Sequence, residues 1–135
     1  MKLDQIDFSR YEGKITLGEV KCKCGKEHDD FISQDFLDRL FRARMLADTP
    51  FVFTSVCRCK GHNQEVGGNG NSGHVSSKNH ECCAADIHFN DSYHLSKILR
   101  GLYSEFWRIG VNVKKKFVHV DNKPALASFW LYPEK

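Results

Sequence analysis

No stretch of the sequence approaches the run of apolar residues needed to cross a membrane. No low-complexity tract, internal repeat or linker interrupts it either, which excludes a disordered chain, a fibrous one and a repeat array. A large excess of charge is also missing. The net charge is +3, and the basic residues are scattered apart from Lys114, Lys115 and Lys116. That distribution argues against nucleic acid as a partner and is compatible with an anionic surface. The first residues, Met1 to Arg10, alternate charged and apolar side chains. They lack the apolar core and small-residue cleavage site of a signal peptide, so the expected protein is made in the cytoplasm without a secretion signal and is not inserted in a membrane.

What is present suffices for one hydrophobic core. At 135 residues the chain has the size of one ordinary domain, so a single domain over 1–135 is expected, acting as a monomer. Six cysteines are many for a cytosolic protein, and they fall in three close pairs: Cys22 and Cys24, Cys57 and Cys59, Cys82 and Cys83. Three readings compete: free thiols, disulfides to distant partners, and a second, structural metal site using Cys22, Cys24 and His28.

From Ser33, a suitable N-cap, Phe36, Leu37, Leu40, Phe41 and Met45 recur at helical spacing up to Asp48-Thr-Pro50. Phe51 to Ser55 is aromatic and β-branched, as a strand requires, and Gly61 to Gly73 is dense in Gly and Asn and predicts a loop. Ala84 to Phe89 predicts a second strand. Asp91 then caps a second helix with a buried stripe of Leu95, Ile98, Leu99, Leu102 and Phe106. Three further strands are expected at Trp107–Val113, Lys116–Asp121 and Ser128–Tyr132. The order predicts an α+β domain with two main helices and a small, mainly antiparallel sheet.

One loop and two strands carry residue types that suit a divalent metal: the imidazoles of His74 and His119 and the carboxylate of Asp86. A catalytic zinc takes three such protein ligands and keeps a fourth position for water, whose pKa it lowers to about 7. Singly, each residue has a plainer reading: a His in a polar loop is commonly a surface residue, and an Asp in an apolar strand can make a buried hydrogen bond.

The words around these residues are more specific than their spacing. Thr54-Ser-Val-Cys-Arg-Cys-Lys-Gly-His-Asn63, Val66-Gly-Gly68, Asn71-Ser-Gly-His74, Ala84-Ala-Asp-Ile87 and Phe117-Val-His-Val-Asp121 occur in one order. That order resembles the zinc D-alanyl-D-alanine carboxypeptidase family, which includes vancomycin-resistance dipeptidases, phage endolysins and, more distantly, the Hedgehog signalling domain. The resemblance runs from about Val20 to Pro133. It implies zinc held by His74, Asp86 and His119, with Arg58 near the substrate carbonyl and carboxylate. It also implies a bacterial peptidoglycan stem peptide as substrate, cut either as a carboxypeptidase or as an endolysin-type endopeptidase. The small size points to a phage or prophage lysis or tail-associated enzyme acting on the cell wall.

Several positions depart from the pattern. Eleven residues separate His74 from Asp86, more than is usual in the family, so the stretch around Ser76 to His80 looks inserted and His80 becomes a rival first ligand. Cys57 stands where the family has Tyr. Lys116 stands where many relatives carry an acidic general base, and a charged lysine cannot accept the proton. Asp121 shares a strand face with His119 and is expected to act as the base. Glu81 is the other candidate, and a purely structural role for Asp121 stays open. Two other functions remain in view: a zinc-stabilised binding module without turnover, and a cysteine nucleophile such as Cys83 beside His80.

Overall fold

The computed structural model describes residues 1–133. Five strands form one sheet in the order β1-β2-β4-β3-β5: β1 (Val52–Ser55), β2 (Ala84–His88), β3 (Arg108–Asn112), β4 (Phe117–Asp121) and β5 (Ser128–Leu131). The helices are α1 (Leu17–Val20), α2 (Gln34–Ala47), α3 (Lys60–Glu65) and α4 (Ser92–Tyr103). Among the described residues no helix is long and apolar enough to cross a membrane.

The two long helices start where side-chain oxygens can satisfy their first free N–H groups. Ser33 Oγ accepts from Phe36 N at 3.1 Å, and Asp91 Oδ1 accepts from His94 N at 2.8 Å. The helix α2 buries Phe36, Leu37, Leu40, Ala43 and Ala47, while Met45, expected inside, is 46% exposed. The cause is the contact with α4. A Cβ placed on Gly101 would lie 2.2 Å from the Ala43 carbonyl oxygen, so the helices meet backbone to backbone through Ala43, Ala47 and Gly101. Small residues occupy that seam and the longer Met45 is turned outward. Across it lie Ile98 and Leu102, both fully buried, each contributing about 1.5–3 kcal/mol by burial.

Alternation along the strands sorts the sheet into two faces. Ala85, Ile87, Ile109, Val111, Val118 and Val120 join the helix residues in one core. The opposite face carries the polar alternates. The α+β expectation holds, but the sheet is mixed: β1, β2, β4 and β3 pair antiparallel, and β5 pairs parallel to β3. By the time β5 forms, β4 is flanked by β2 and β3, so no hairpin position is left beside it. The chain leaves β4 at Asp121, which pairs with Arg108 at the start of β3, and Ser128 then pairs with that same Arg108. Entry at that end makes β5 parallel to β3.

The loop expected from Gly61 to Gly73 is corrected at its start. Lys60–Glu65 is helical because the Cys59 sulfur caps it, accepting from His62 N at 3.3 Å. The inserted stretch is a tight surface turn in which Ser77 and His80 exchange both backbone hydrogen bonds, at 2.9 and 3.1 Å.

Candidate metal centre

The register sets one row of residues straight across the sheet. Ser55 of β1 is opposite Asp86 of β2, Asp86 opposite His119 of β4, His119 opposite Gly110 of β3, and Gly110 opposite Trp130 of β5. Directly opposed residues point to the same face, so Asp86, His119 and Trp130 rise together on the side away from the helices. Gly110 makes room within the row: a Cβ there would lie 2.3 Å from the Trp130 ring, which instead leans across the glycine to within 5.6 Å of the His119 ring, centroid to centroid.

His74 arrives from the loop before β2 and completes the group. His74, Asp86 and His119 each offer one ligand atom within 4.8 Å of the others. His80 lies outside it. Its ring is on the surface turn, with Nδ1 2.8 Å from the Val75 carbonyl.

The hydrogen bonds around His74 decide what the group can hold. Its Nδ1 is 2.6 Å from the Val56 carbonyl, which can only accept, so the proton sits on Nδ1 and the Nε2 lone pair is bare. That Nε2 is buried, has no hydrogen-bond partner among the described residues, and lies 3.2 Å from Asp86 Oδ1. Two electron-rich atoms facing each other in a buried site call for a cation between them. A zinc ion fits that donor set of two imidazoles and a carboxylate, and His74, Asp86 and His119 are the residues that would hold it.

His119 sits between two carboxylates, with Nδ1 3.0 Å from Asp86 Oδ1 and Nε2 2.7 Å from Asp121 Oδ2. Burial works against its charged form, but Asp121 and Asp86 outweigh it and raise the imidazole above its ordinary value. Burial would likewise raise Asp86, yet the His119 imidazole hydrogen-bonded to it holds its carboxyl below the ordinary range. Asp121 is 1% exposed and fully engaged. Its second oxygen accepts from Arg108 Nε at 2.7 Å and Lys123 N at 3.2 Å. Against the effect of burial, His119 and Arg108 keep its carboxyl low. Arg108 is fixed in turn by the Leu126 carbonyl at 2.9 Å and by the Trp130 ring, 5.3 Å from its guanidinium.

A cleft of about 480 Å³ opens over this group. Arg58 lines it, with its backbone tied to the ligand loop through Arg58 N to His74 O and Ser76 N to Arg58 O, both 2.7 Å. Its Nε is buried, with no hydrogen-bond partner among the described residues. Glu81 is not part of the lining; its carboxylate pairs with the Met1 ammonium. Lys116 donates from Nζ to the Asn90 carbonyl at 3.3 Å, away from the ligands. Burial pushes the Cys83 thiol up to about 12, so it stays protonated at neutral pH and offers no nucleophile.

Trp130 and Tyr132 also line the cleft, whereas the sequence marks them only as part of a terminal strand. Their two-residue spacing was the available signal, since it sets both on one face. Burial raises the Tyr132 hydroxyl, assisted by the nearby Asp86 charge, so it keeps its proton and can donate it to a hydrogen bond.

A family model described as Peptidase M15 matches residues 13–121, a span that contains Arg58, His74, Asp86, His119 and Asp121. No curated protein and no solved structure matches the chain significantly.

Proposed function

The chain belongs to the peptidase M15 family, whose members are zinc-dependent peptidases, and from that premise we propose that it hydrolyses peptide bonds in bacterial peptidoglycan stem peptides at the His74, Asp86 and His119 centre. The observation that carries the reading is the bare, buried Nε2 of His74 facing the Asp86 carboxylate. Zinc held there would supply Lewis acidity, polarising the scissile carbonyl and acidifying water. The protein's own side chains supply the rest. Arg58 would stabilise with its guanidinium charge the oxygen on which charge develops, and Tyr132, in the same lining, offers a neutral donor. Arg58, Lys115 and Lys123 give the cleft a basic lining, which suits the carboxylates of an acidic stem peptide and its free C-terminus.

We assign Asp121 the orienting role. Both its oxygens are already bonded, and by accepting from His119 Nε2 it fixes the ring with the other nitrogen toward Asp86. Among the described residues, Asp86 and Asp121 are the acidic ones lining the cleft. Among the described residues, a base independent of the metal ligands would therefore have to be Asp121 itself, after release from Arg108 or His119. That shortage of free carboxylate favours a second reading, a zinc-stabilised module that binds stem peptide without cutting it.

One assay separates the two. Purified protein is incubated with muropeptides, with and without chelator, and the products are identified by mass. Chelator-sensitive cleavage is expected, with released D-Ala marking a carboxypeptidase and internal fragments an endopeptidase. Intact muropeptides in the presence of zinc-loaded protein would sink the enzymatic reading and leave the module.

A further inference from the structure

A second group of residue types able to hold a metal lies apart from the cleft, where the segment after α1 meets the start of α3. We propose that Cys22, Cys24, His28 and Cys59 bind a structural zinc ion whose function is to hold the Arg58 turn in place. Each offers one ligand atom, and the four atoms lie within 4.8 Å of one another. Three sulfurs and one imidazole nitrogen are the donor set and number of a closed tetrahedral zinc site.

The hydrogen bonds around the group prepare it for a cation. Every sulfur has a backbone N–H directed at it: Cys59 N to Cys22 Sγ at 3.3 Å, Lys26 N to Cys24 Sγ at 3.4 Å, and His62 N to Cys59 Sγ at 3.3 Å. Such donors stabilise a thiolate more than a thiol. Gly25, at φ +78, makes the turn that brings Lys26 N back onto Cys24. His28 is set in the required tautomer: Nδ1 is 3.1 Å from the Asp29 carbonyl, which can only accept, so Nε2 is left as a lone pair, 3.1 Å from Cys24 Sγ. Zinc binding releases the three thiol protons and leaves one net negative charge, beside Lys21, Lys23 and Lys26, which line the same hollow.

Cys59 directly follows Arg58 in the chain, and its sulfur is also the cap of α3. An ion bound there fixes the residue after Arg58 from one side, while the bonds to His74 and Ser76 fix Arg58 from the other. The four ligands come from both sides of the long segment that contains α2 and β1, so the ion cross-links parts of the chain distant in sequence.

The test uses the reduced full-length chain loaded with cobalt in place of zinc. A thiolate-to-cobalt charge-transfer band in the near-ultraviolet is expected, which the sulfur-free centre of His74, Asp86 and His119 cannot give. The Asp86→Ala variant should keep this band, so the result is independent of the proposed catalytic reading. Metal analysis should give about two zinc ions per chain, falling to about one in both Cys24→Ser and His28→Ala, at partly or fully exposed positions. A cobalt-loaded wild-type protein with no thiolate band would overturn the proposal. So would a protein as purified that carries a disulfide between Cys59 and Cys22 or Cys24 and no zinc beyond the catalytic equivalent.

Discussion

Arg58 and Asp121 make opposite demands on a substitution, because among the described residues Arg58 Nε has no hydrogen-bond partner whereas both oxygens of Asp121 are engaged. Arg58→Ala should leave zinc content and melting temperature close to the parent while turnover falls by about a hundredfold to a thousandfold, the usual effect of removing one donor to a developing oxyanion. Unchanged turnover would remove Arg58 from the reaction. Asp121→Asn keeps size and polarity but weakens the hold on His119, and zinc affinity should fall by about tenfold to a hundredfold together with activity. A variant that keeps its zinc affinity and loses only turnover would return Asp121 to the role of base. In the metal-free protein the same cluster sets a pH dependence. The His119 imidazole is raised, so its contribution is complete below the unfolded value of about 6.5 and is lost as pH rises through the higher native value. Asp86 and Asp121 are depressed, so theirs is present above about 4 and lost as the solution is acidified. Chelated protein should therefore melt higher at about pH 5.5 than at about pH 8.5, and zinc, which must displace the His119 proton, should bind more tightly as pH rises. Equal melting temperatures at the two pH values would contradict the ionised cluster.

At the scale of the elements, Gly110 gives the clearest test, because it lies on β3 between His119 of β4 and Trp130 of β5 in the same row. In Gly110→Ala the new methyl takes the space of the indole, so Trp130 should swing out of the cleft and substrate KM should rise, while the zinc-binding strands β2 and β4 stay paired. Tryptophan fluorescence shifted toward the solvent-exposed value would report the movement; an unshifted spectrum with normal KM would refute it. Those strands and both long helices were legible in the sequence, because caps at Ser33 and Asp91 and the two apolar periodicities are local signals. The grouping of His74 with Asp86 and His119 followed from the family words, since nothing local specifies which loop histidine folds inward. What escaped depends on partners distant in the chain. The exposure of Met45 follows from Gly101, the helix α3 from a cysteine acting as cap, and the parallel course of β5 from a sheet position already taken by β3. Arg108, which holds Asp121, was likewise unreadable, because the two meet only through the β3–β4 register.

Over the whole molecule, the row that crosses the sheet makes the chain unequal in its tolerance of added length. Between His74 and Asp86 the backbone passes through the surface turn at Ser77 to His80, which can grow or shrink without moving either ligand. Inside β2 and β4 no such slack exists, because side chains alternate between the faces and one extra residue exchanges inside for outside. A residue inserted between Lys78 and Asn79 should leave the zinc content of the purified protein unchanged, whereas one inserted between Phe117 and Val118 should abolish zinc binding and give a misfolded chain; equal zinc in the two would show that register does not hold the centre. For the lineage of such a sequence, the turn is where insertions and deletions can accumulate, and the strands are where their number must stay fixed. The longer spacing between His74 and Asp86 lies where this rule permits it.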